Sequence, residues 1–117
     1  MRFVKAIGDA VMLVSTDPGA LLDAVLNLAH TAAGDGLPPL GIGVTSGAAV
    51  TRGGDWFGSP VNLASRVTSA SCPGSVVVTE STRDLVGNAA GFEWTPIGTR
   101  QLKGVREAVN LFRLTRA

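Results

Sequence analysis

The residues best suited to chemistry in this chain are a few charged or amide side chains beside glycines, set in otherwise apolar segments. They lie in VKAIGDAVMLV, DWFGSPVNLASR and LKG, and they are Lys5, Asp9, Asp55, Asn62, Arg66 and Lys103. Each residue alone has an ordinary structural explanation. Together they offer carboxylate oxygens for a hard cation and cationic donors for phosphate, which favours a nucleoside triphosphate with a metal as ligand.

Asn62 and Arg66 are four residues apart in a segment with helical spacing, so both side chains project from one helix face. The remaining surface of that helix is mostly apolar. One interpretation is a solvated face on which Arg66 makes a surface ion pair. The other is a phosphate site, in which arginine supplies a forked donor and asparagine orients a ribose or phosphate oxygen.

Lys5 and Asp55 also have two interpretations. Lys5 lies within an apolar, strand-like run and could extend along the sheet edge into solvent, and Asp55 lies beside glycines and could be a turn residue. As a pair, however, the lysine could donate to a purine ring nitrogen or carbonyl while the aspartate accepts from an exocyclic amine.

Asp9 follows Gly8 between two apolar runs, which is a strong signal for a hairpin turn. Its carboxylate could serve only the turn, or it could bind Mg²⁺, which usually takes one or two carboxylates together with substrate phosphates. Lys103 could be a hairpin lysine or a point charge for a triphosphate. The sequence has no G-x-x-x-x-G-K-[ST] segment, so the common phosphate-binding loop is absent.

Composition limits the classes of protein. The 117 residues suit one domain, and a hydrophobic content of 45% with 16% charged residues favours a packed core over disorder. A formal net charge of +1 argues against a nucleic-acid-binding face. No apolar run reaches the roughly 18 residues of a membrane span, and we expect no signal peptide. A single cysteine predicts a reducing, cytoplasmic environment without an internal disulfide, and a single histidine beside it argues against a zinc site.

The elements that must position these residues follow from hydrophobic periodicity and turn signals. In chain order the sequence predicts a hairpin (FVKAI and AVMLV), a helix (STDPGALLDAVLNLAHTAAGDG), one or two strands (LGIGVTSGAAVTR), a loop (GGDWFG), a helix (SPVNLASRVTSA), a buried strand (SVVVTE), a short helix (STRDLVG) and a final antiparallel pair (FEWTPIGTRQLKG and VNLFRLTR). Asp17 and Ser59 are the expected helix caps, each followed by proline at the first helical position.

This order predicts an α+β fold with an antiparallel or mixed sheet and helices on one face. The first hairpin raises a difficulty, because two strands alone are marginal in water. We therefore expect another strand to pair beside it.

Three segments, VKAIGDAVMLV, DWFGSPVNLASRV and LKGVREAVNLFRL, resemble in the same order those of the class III adenylyl and guanylyl cyclase catalytic domain, whose fold is ferredoxin-like. The resemblance runs through the whole chain, and the D-x-x-G-x-x-V-N-x-A-S-R block is its most specific part. GIGVTSG stands in place of the family's G-I-H-x-G strand, without its histidine.

The resemblance implies a role for each candidate residue. Asp9 matches the second of two metal-binding aspartates, and Lys103 a triphosphate-binding lysine. Lys5 and Asp55 match the adenine-selecting pair, where guanylyl cyclases typically carry Glu and Cys. Asn62 matches the residue that orients the ribose. Arg66 matches the residue that stabilises charge on the α-phosphate in the transition state.

The reaction that the resemblance implies is intramolecular. The ribose 3′-hydroxyl of ATP attacks the α-phosphorus and pyrophosphate leaves, which gives 3′,5′-cyclic AMP for signalling. Two Mg²⁺ or Mn²⁺ ions about 3.5–4 Å apart assist the attack. The sites lie between two domains packed head to tail, in a homodimer or with another cyclase domain. One domain contributes the metal aspartates, and the other contributes the purine pair, Asn and Arg.

The chain departs from the family at its beginning. Family domains start with a central strand that carries the first metal aspartate, in a segment like F-x-D-x-x-G-F-T, followed by two helices. Residues 1–117 contain no such segment, and nothing in the placement of Asp17 or Asp35 makes either a substitute. We therefore expect a partial domain that is inactive, or nearly so, by itself. The alternative is a non-catalytic module that pairs with a complete cyclase domain.

Overall fold

We analysed a computed structural model of the protein, which describes residues 2–7, 10–36, 40–47, 50–52, 55–57, 59–87 and 91–117. Side chains are described at 14–36, 40–47, 60–87 and 91–117. The elements within these residues are β1 (Arg2–Ile7), β2 (Ala10–Val14), α1 (Pro18–Gly34), β3 (Ile42–Val44), β4 (Val50–Arg52), β5 (Asp55–Phe57), α2 (Ser59–Ala70), β6 (Val76–Thr79), α3 (Glu80–Val86), β7 (Phe92–Arg100) and β8 (Val109–Arg116).

The largest sheet in the described part of the chain has four strands in the order β3-β6-β8-β7. Strand β3 is parallel to β6, whereas β6 with β8 and β8 with β7 are antiparallel. The predicted α+β fold with a mixed sheet and a final antiparallel pair is therefore confirmed.

Helices cover both faces of this sheet, so the expectation that they lie on one face was wrong. The reason lies in β6, where successive valines, Val76, Val77 and Val78, are all buried. Because side chains alternate across a strand, such a run needs apolar cover on both sides. The core under α1 consists of Leu22, Val25, Val44, Val76, Val78, Phe112 and Leu114, with Val86 of α3 packed against it. The core under α2 consists of Val67, Val77, Leu102 and Leu111, with Leu63 packed against it.

Helix α1 begins as its sequence predicts. Asp17 has extended backbone geometry, and its carboxylate accepts a hydrogen bond of 3.1 Å from the backbone N–H of Ala20. Pro18 occupies the first helical position, where its missing N–H costs no helical hydrogen bond. Leu28, an apolar residue of the same helix, is 43% exposed. None of the helices that the structure describes is both long and apolar enough to cross a bilayer.

Two smaller sheets, each of two strands, accompany the main sheet in the described residues. Strands β1 and β2 form the predicted antiparallel hairpin, with Ile7 opposite Ala10. Strands β4 and β5 form a second hairpin, with Arg52 opposite Asp55. The prediction of a loop at GGDWFG was wrong for Asp55–Phe57, which form strand β5. Two β-prone runs separated by Gly-Gly are themselves a hairpin signal.

Candidate active site

Helix α2 presents Asn62 and Arg66 to solvent from one side. Val67, which follows Arg66, is fully buried against the sheet, and Leu63 packs beside it. With these apolar side chains turned inward, Asn62 and Arg66 are both exposed. This geometry agrees with the spacing argument and leaves the amide and the guanidinium accessible to a ligand.

Lys103 lies in a tight turn between β7 and β8. The backbone N–H of Val105 donates to the carbonyl of Leu102 over 3.1 Å, and Gly104 has a φ of 76°. A positive φ at the third residue of a four-residue turn strongly favours glycine. Leu102 is buried in the core under α2, whereas Lys103 is exposed. The buried leucine therefore fixes the turn and the lysine projects from it.

Arg66 and this turn meet in space. A Cβ atom built on Gly104 would lie 3.8 Å from both Nε and Nη2 of Arg66, so the guanidinium lies against the backbone of the turn. The structure thus brings together two cationic residues, Arg66 and Lys103, that are distant in sequence. Such a pair suits a ligand with several negative charges.

Lys5 and Asp55 lie in strands that contact each other. Cα atoms of β1 come within 8 Å of Cα atoms of β5, and β5 in turn contacts α2. Lys5 is in β1, paired with Met12, and Asp55 is the first residue of β5. The side chains of both are outside the described part of the chain. The backbone alone places their two strands next to each other.

The predicted metal ligand, Asp9, lies outside the described residues, as does the turn at Gly8. In the part of the chain that is described, no three His, Cys, Asp or Glu side chains converge as a metal site would require.

The side chain of Ser59, the predicted cap of α2, also lies outside the described part of the chain.

Sequence reasoning missed the residues that hold α2 against the sheet. Gly43 of β3 packs on the helix at Thr68, and the hydroxyl of Thr45 donates to the carbonyl of Pro60 over 2.6 Å. The available signal was the alternation of small residues, Gly41, Gly43 and Thr45, along one face of the strand.

Comparisons with known proteins agree on one family. The protein-family model of the adenylate and guanylate cyclase catalytic domain matches residues 39–116. A pH-sensitive adenylate cyclase from Mycobacterium tuberculosis is 53% identical over 97% of this chain and 30% of its own length. An adenylate cyclase from Streptomyces coelicolor is 42% identical over 66% of this chain and 20% of its own length.

Among solved structures, an adenylate/guanylate cyclase/hydrolase from Silicibacter pomeroyi superposes with a TM-score of 0.83. It is 22% identical, and the match covers 97% of this chain and 71% of that one, so this likeness concerns the fold. The chain spans about a third or less of the length of the curated relatives it matches. On the strength of the family match and the mycobacterial relative, the chain belongs to the adenylate and guanylate cyclase catalytic domain family.

Proposed function

We propose that residues 1–117 form part of an adenylyl cyclase catalytic domain, which converts ATP to 3′,5′-cyclic AMP and pyrophosphate. The observation that carries this proposal is the approach of Arg66 to the turn that holds Lys103, one helical turn from Asn62. A triphosphate needs several cationic donors at one place, and a ribose needs a neutral donor and acceptor beside them.

In this proposal Lys5 and Asp55 select the purine. Lysine donates to N1 of adenine, which is an acceptor, and the carboxylate of Asp55 accepts from the exocyclic amine. Guanine presents a donor at N1 and a carbonyl in place of that amine, so its edge does not match this pair. The contact between β1 and β5 supports a joint role, because it puts the two strands within reach of one base.

Arg66, Asn62 and Lys103 act on the sugar and phosphates. Asn62 holds the ribose so that its 3′-hydroxyl faces the α-phosphorus. Arg66 donates to the non-bridging α-phosphate oxygens as negative charge develops there, and Lys103 neutralises the leaving pyrophosphate. Prearranged donors of this kind supply most of the rate in phosphoryl transfer, together with the positioning of the reactants.

Asp9 is our assignment for the metal. Its carboxylate is the hard oxygen ligand that Mg²⁺ and Mn²⁺ prefer, and it is the one metal ligand that we assign within residues 1–117. When bound, the ions would lower the pKa of the 3′-hydroxyl and neutralise charge on the leaving group. A second carboxylate would have to come from outside residues 1–117.

The partner in this proposal is a second cyclase domain packed head to tail, either another copy or a complete domain. Asp9 of one domain then faces Asn62 and Arg66 of the other. A homodimer would have two equivalent sites related by twofold symmetry.

A mixing experiment tests the proposed function. The purified chain is combined with a complete adenylate cyclase domain whose own Asn and Arg counterparts are replaced by alanine, and cyclic AMP is measured with ATP and Mg²⁺ or Mn²⁺. We expect activity from the mixture and none from either protein alone, because the chain supplies Asn62 and Arg66 while the partner supplies both metal carboxylates.

Arg66→Ala in the chain should lower kcat of the mixture by about 10²–10³, the usual loss for one transition-state donor. The matched control is Arg113→Ala, an exposed arginine on β8, which should leave kcat unchanged. A mixture that makes no cyclic AMP, although the two proteins associate, would refute the proposal.

A further inference from the structure

The position of α2 on the sheet decides where Asn62 and Arg66 stand, and β3 is the strand on which α2 rests. Gly41, Gly43 and Thr45 alternate along this segment, so they share one face. A Cβ on Gly41 would lie 2.9 Å from Oγ of Ser71, and one on Gly43 would lie 2.4 Å from the backbone nitrogen of Thr68. Strand and helix are therefore packed backbone to backbone, with no room for a side chain at Gly43.

Glycine contacts of this kind fix the distance between strand and helix but have little directionality. Apolar packing of Val67 and Leu63 also holds α2 on the sheet, but this packing is not directional either. Among the described side chains, the directional contact at the first turn of α2 is made by Thr45.

The hydroxyl of Thr45 donates to the carbonyl of Pro60 over 2.6 Å. Pro60 lies in the first turn of α2, two residues before Asn62 and six before Arg66. A hydrogen bond depends on both distance and angle, so it specifies where along β3 the helix begins.

The next residue, Ser46, holds Thr45 in place. Oγ of Ser46 lies 2.8 Å from Oγ1 of Thr82, which is fully buried, and Oγ1 of Thr82 lies 3.4 Å from Oγ1 of Thr79. The end of β3 is thus fixed by buried hydroxyl groups of β6 and α3. Thr45 connects this fixed point to α2.

We propose that Thr45 is a positioning residue for the cyclase reaction: its hydrogen bond to Pro60 sets the axial position of α2, and hence the position of Asn62 and the approach of Arg66 to the turn at Lys103. The kinetic part of this proposal rests on the proposed function. The structural part is that α2 loses its fixed start when the hydroxyl is removed. This part is independent of the proposed function.

The test compares Thr45→Val, which keeps the shape and removes the donor, with Thr45→Ser, which keeps the donor. The matched control is Thr31→Val, an exposed threonine on α1, across the sheet from α2. In the mixing assay Thr45→Val should lower kcat by about 10- to 100-fold, the scale of an ångström-sized misplacement. KM for ATP should change less than about twofold, since the misplaced groups act mainly in the transition state. Thr45→Ser should restore kcat, and Thr31→Val should match the unmodified chain.

Hydrogen exchange on the purified chain gives a second reading that needs no activity. Thr45→Val should speed exchange at amides 62–66 of α2 while α1 keeps its protection, and Thr45→Ser should reverse the effect. Should the valine variant not fold, Thr45→Ala serves for the same comparison.

Three outcomes would overturn the proposal: an unchanged kcat in Thr45→Val, a serine variant as impaired as the valine variant, or faster exchange throughout the chain rather than in α2. If the unmodified mixture makes no cyclic AMP, the proposed function fails. The exchange experiment then decides the role of Thr45 by itself.

Discussion

Asn62 and Arg66 are exposed polar side chains on a helix that packs on the sheet through Val67 and Leu63. Because Val67 is buried and Leu63 packs against the core, the opposite side of α2 faces solvent. The i, i+4 spacing puts both polar groups on that side. Spacing could predict the shared face. It could not predict that the guanidinium of Arg66 would lie against Gly104, because that contact depends on how two distant segments pack.

The purine pair gives a prediction at the residue scale. The double substitution Lys5→Glu and Asp55→Cys removes a donor–acceptor pattern suited to adenine. It introduces the pair that guanylyl cyclases typically carry. In the mixing assay the ratio of cyclic AMP to cyclic GMP should fall at least about tenfold, since each well-placed contact to a base edge contributes about 1–3 kcal/mol of discrimination.

Lys103→Gln is the control for this double substitution. It should reduce the rates with ATP and with GTP alike, because both substrates carry the same triphosphate. An unchanged nucleotide ratio in the double variant would remove Lys5 and Asp55 from purine selection.

At the scale of elements, β3 and α2 form the unit that supports the site. Their close approach depends on glycine at position 43, because the backbone of α2 at Thr68 occupies the space that a side chain would need. The hairpin of β4 and β5 likewise places Asp55 at the start of a strand that leads toward α2.

Gly43→Ala should destabilise the protein by about 1–3 kcal/mol, the usual cost of overpacking, because the added Cβ would come within 2.4 Å of the backbone of Thr68. Urea unfolding followed by circular dichroism measures the change in the free energy of unfolding.

Gly34→Ala is the matched control, since a Cβ on Gly34 would meet nothing within 4 Å and this helical residue needs no positive φ. It should be neutral or slightly stabilising. Equal stabilities for the two variants would contradict the packing account of Gly43.

At the scale of the molecule, the described strands fall into a four-stranded sheet and two separate hairpins. The hairpin of β1 and β2 has no further hydrogen-bonded strand among the described residues, although two strands alone are marginal in water.

The corresponding prediction concerns the chain alone. Purified residues 1–117 with ATP and Mn²⁺ should form cyclic AMP no faster than the buffer, because in the proposed function this chain contributes a single metal carboxylate, Asp9, and the two-ion arrangement needs a second. The measurement is a cyclic AMP assay at high protein concentration. Activity that depends on Mn²⁺ and disappears in Asp9→Ala would show that the chain is a complete enzyme.

The sequence by itself determined the α+β class, the capped start of α1, the buried strand β6 and the family to which the chain belongs. These features are encoded locally, in periodicity, turn residues and short motifs. Tertiary structure decided three others: the helices on both faces of the sheet, the approach of Arg66 to the turn at Gly104, and the contact of Thr45 with Pro60. Each depends on residues far apart in the chain, whose meeting is set by the packing of whole elements rather than by any local pattern.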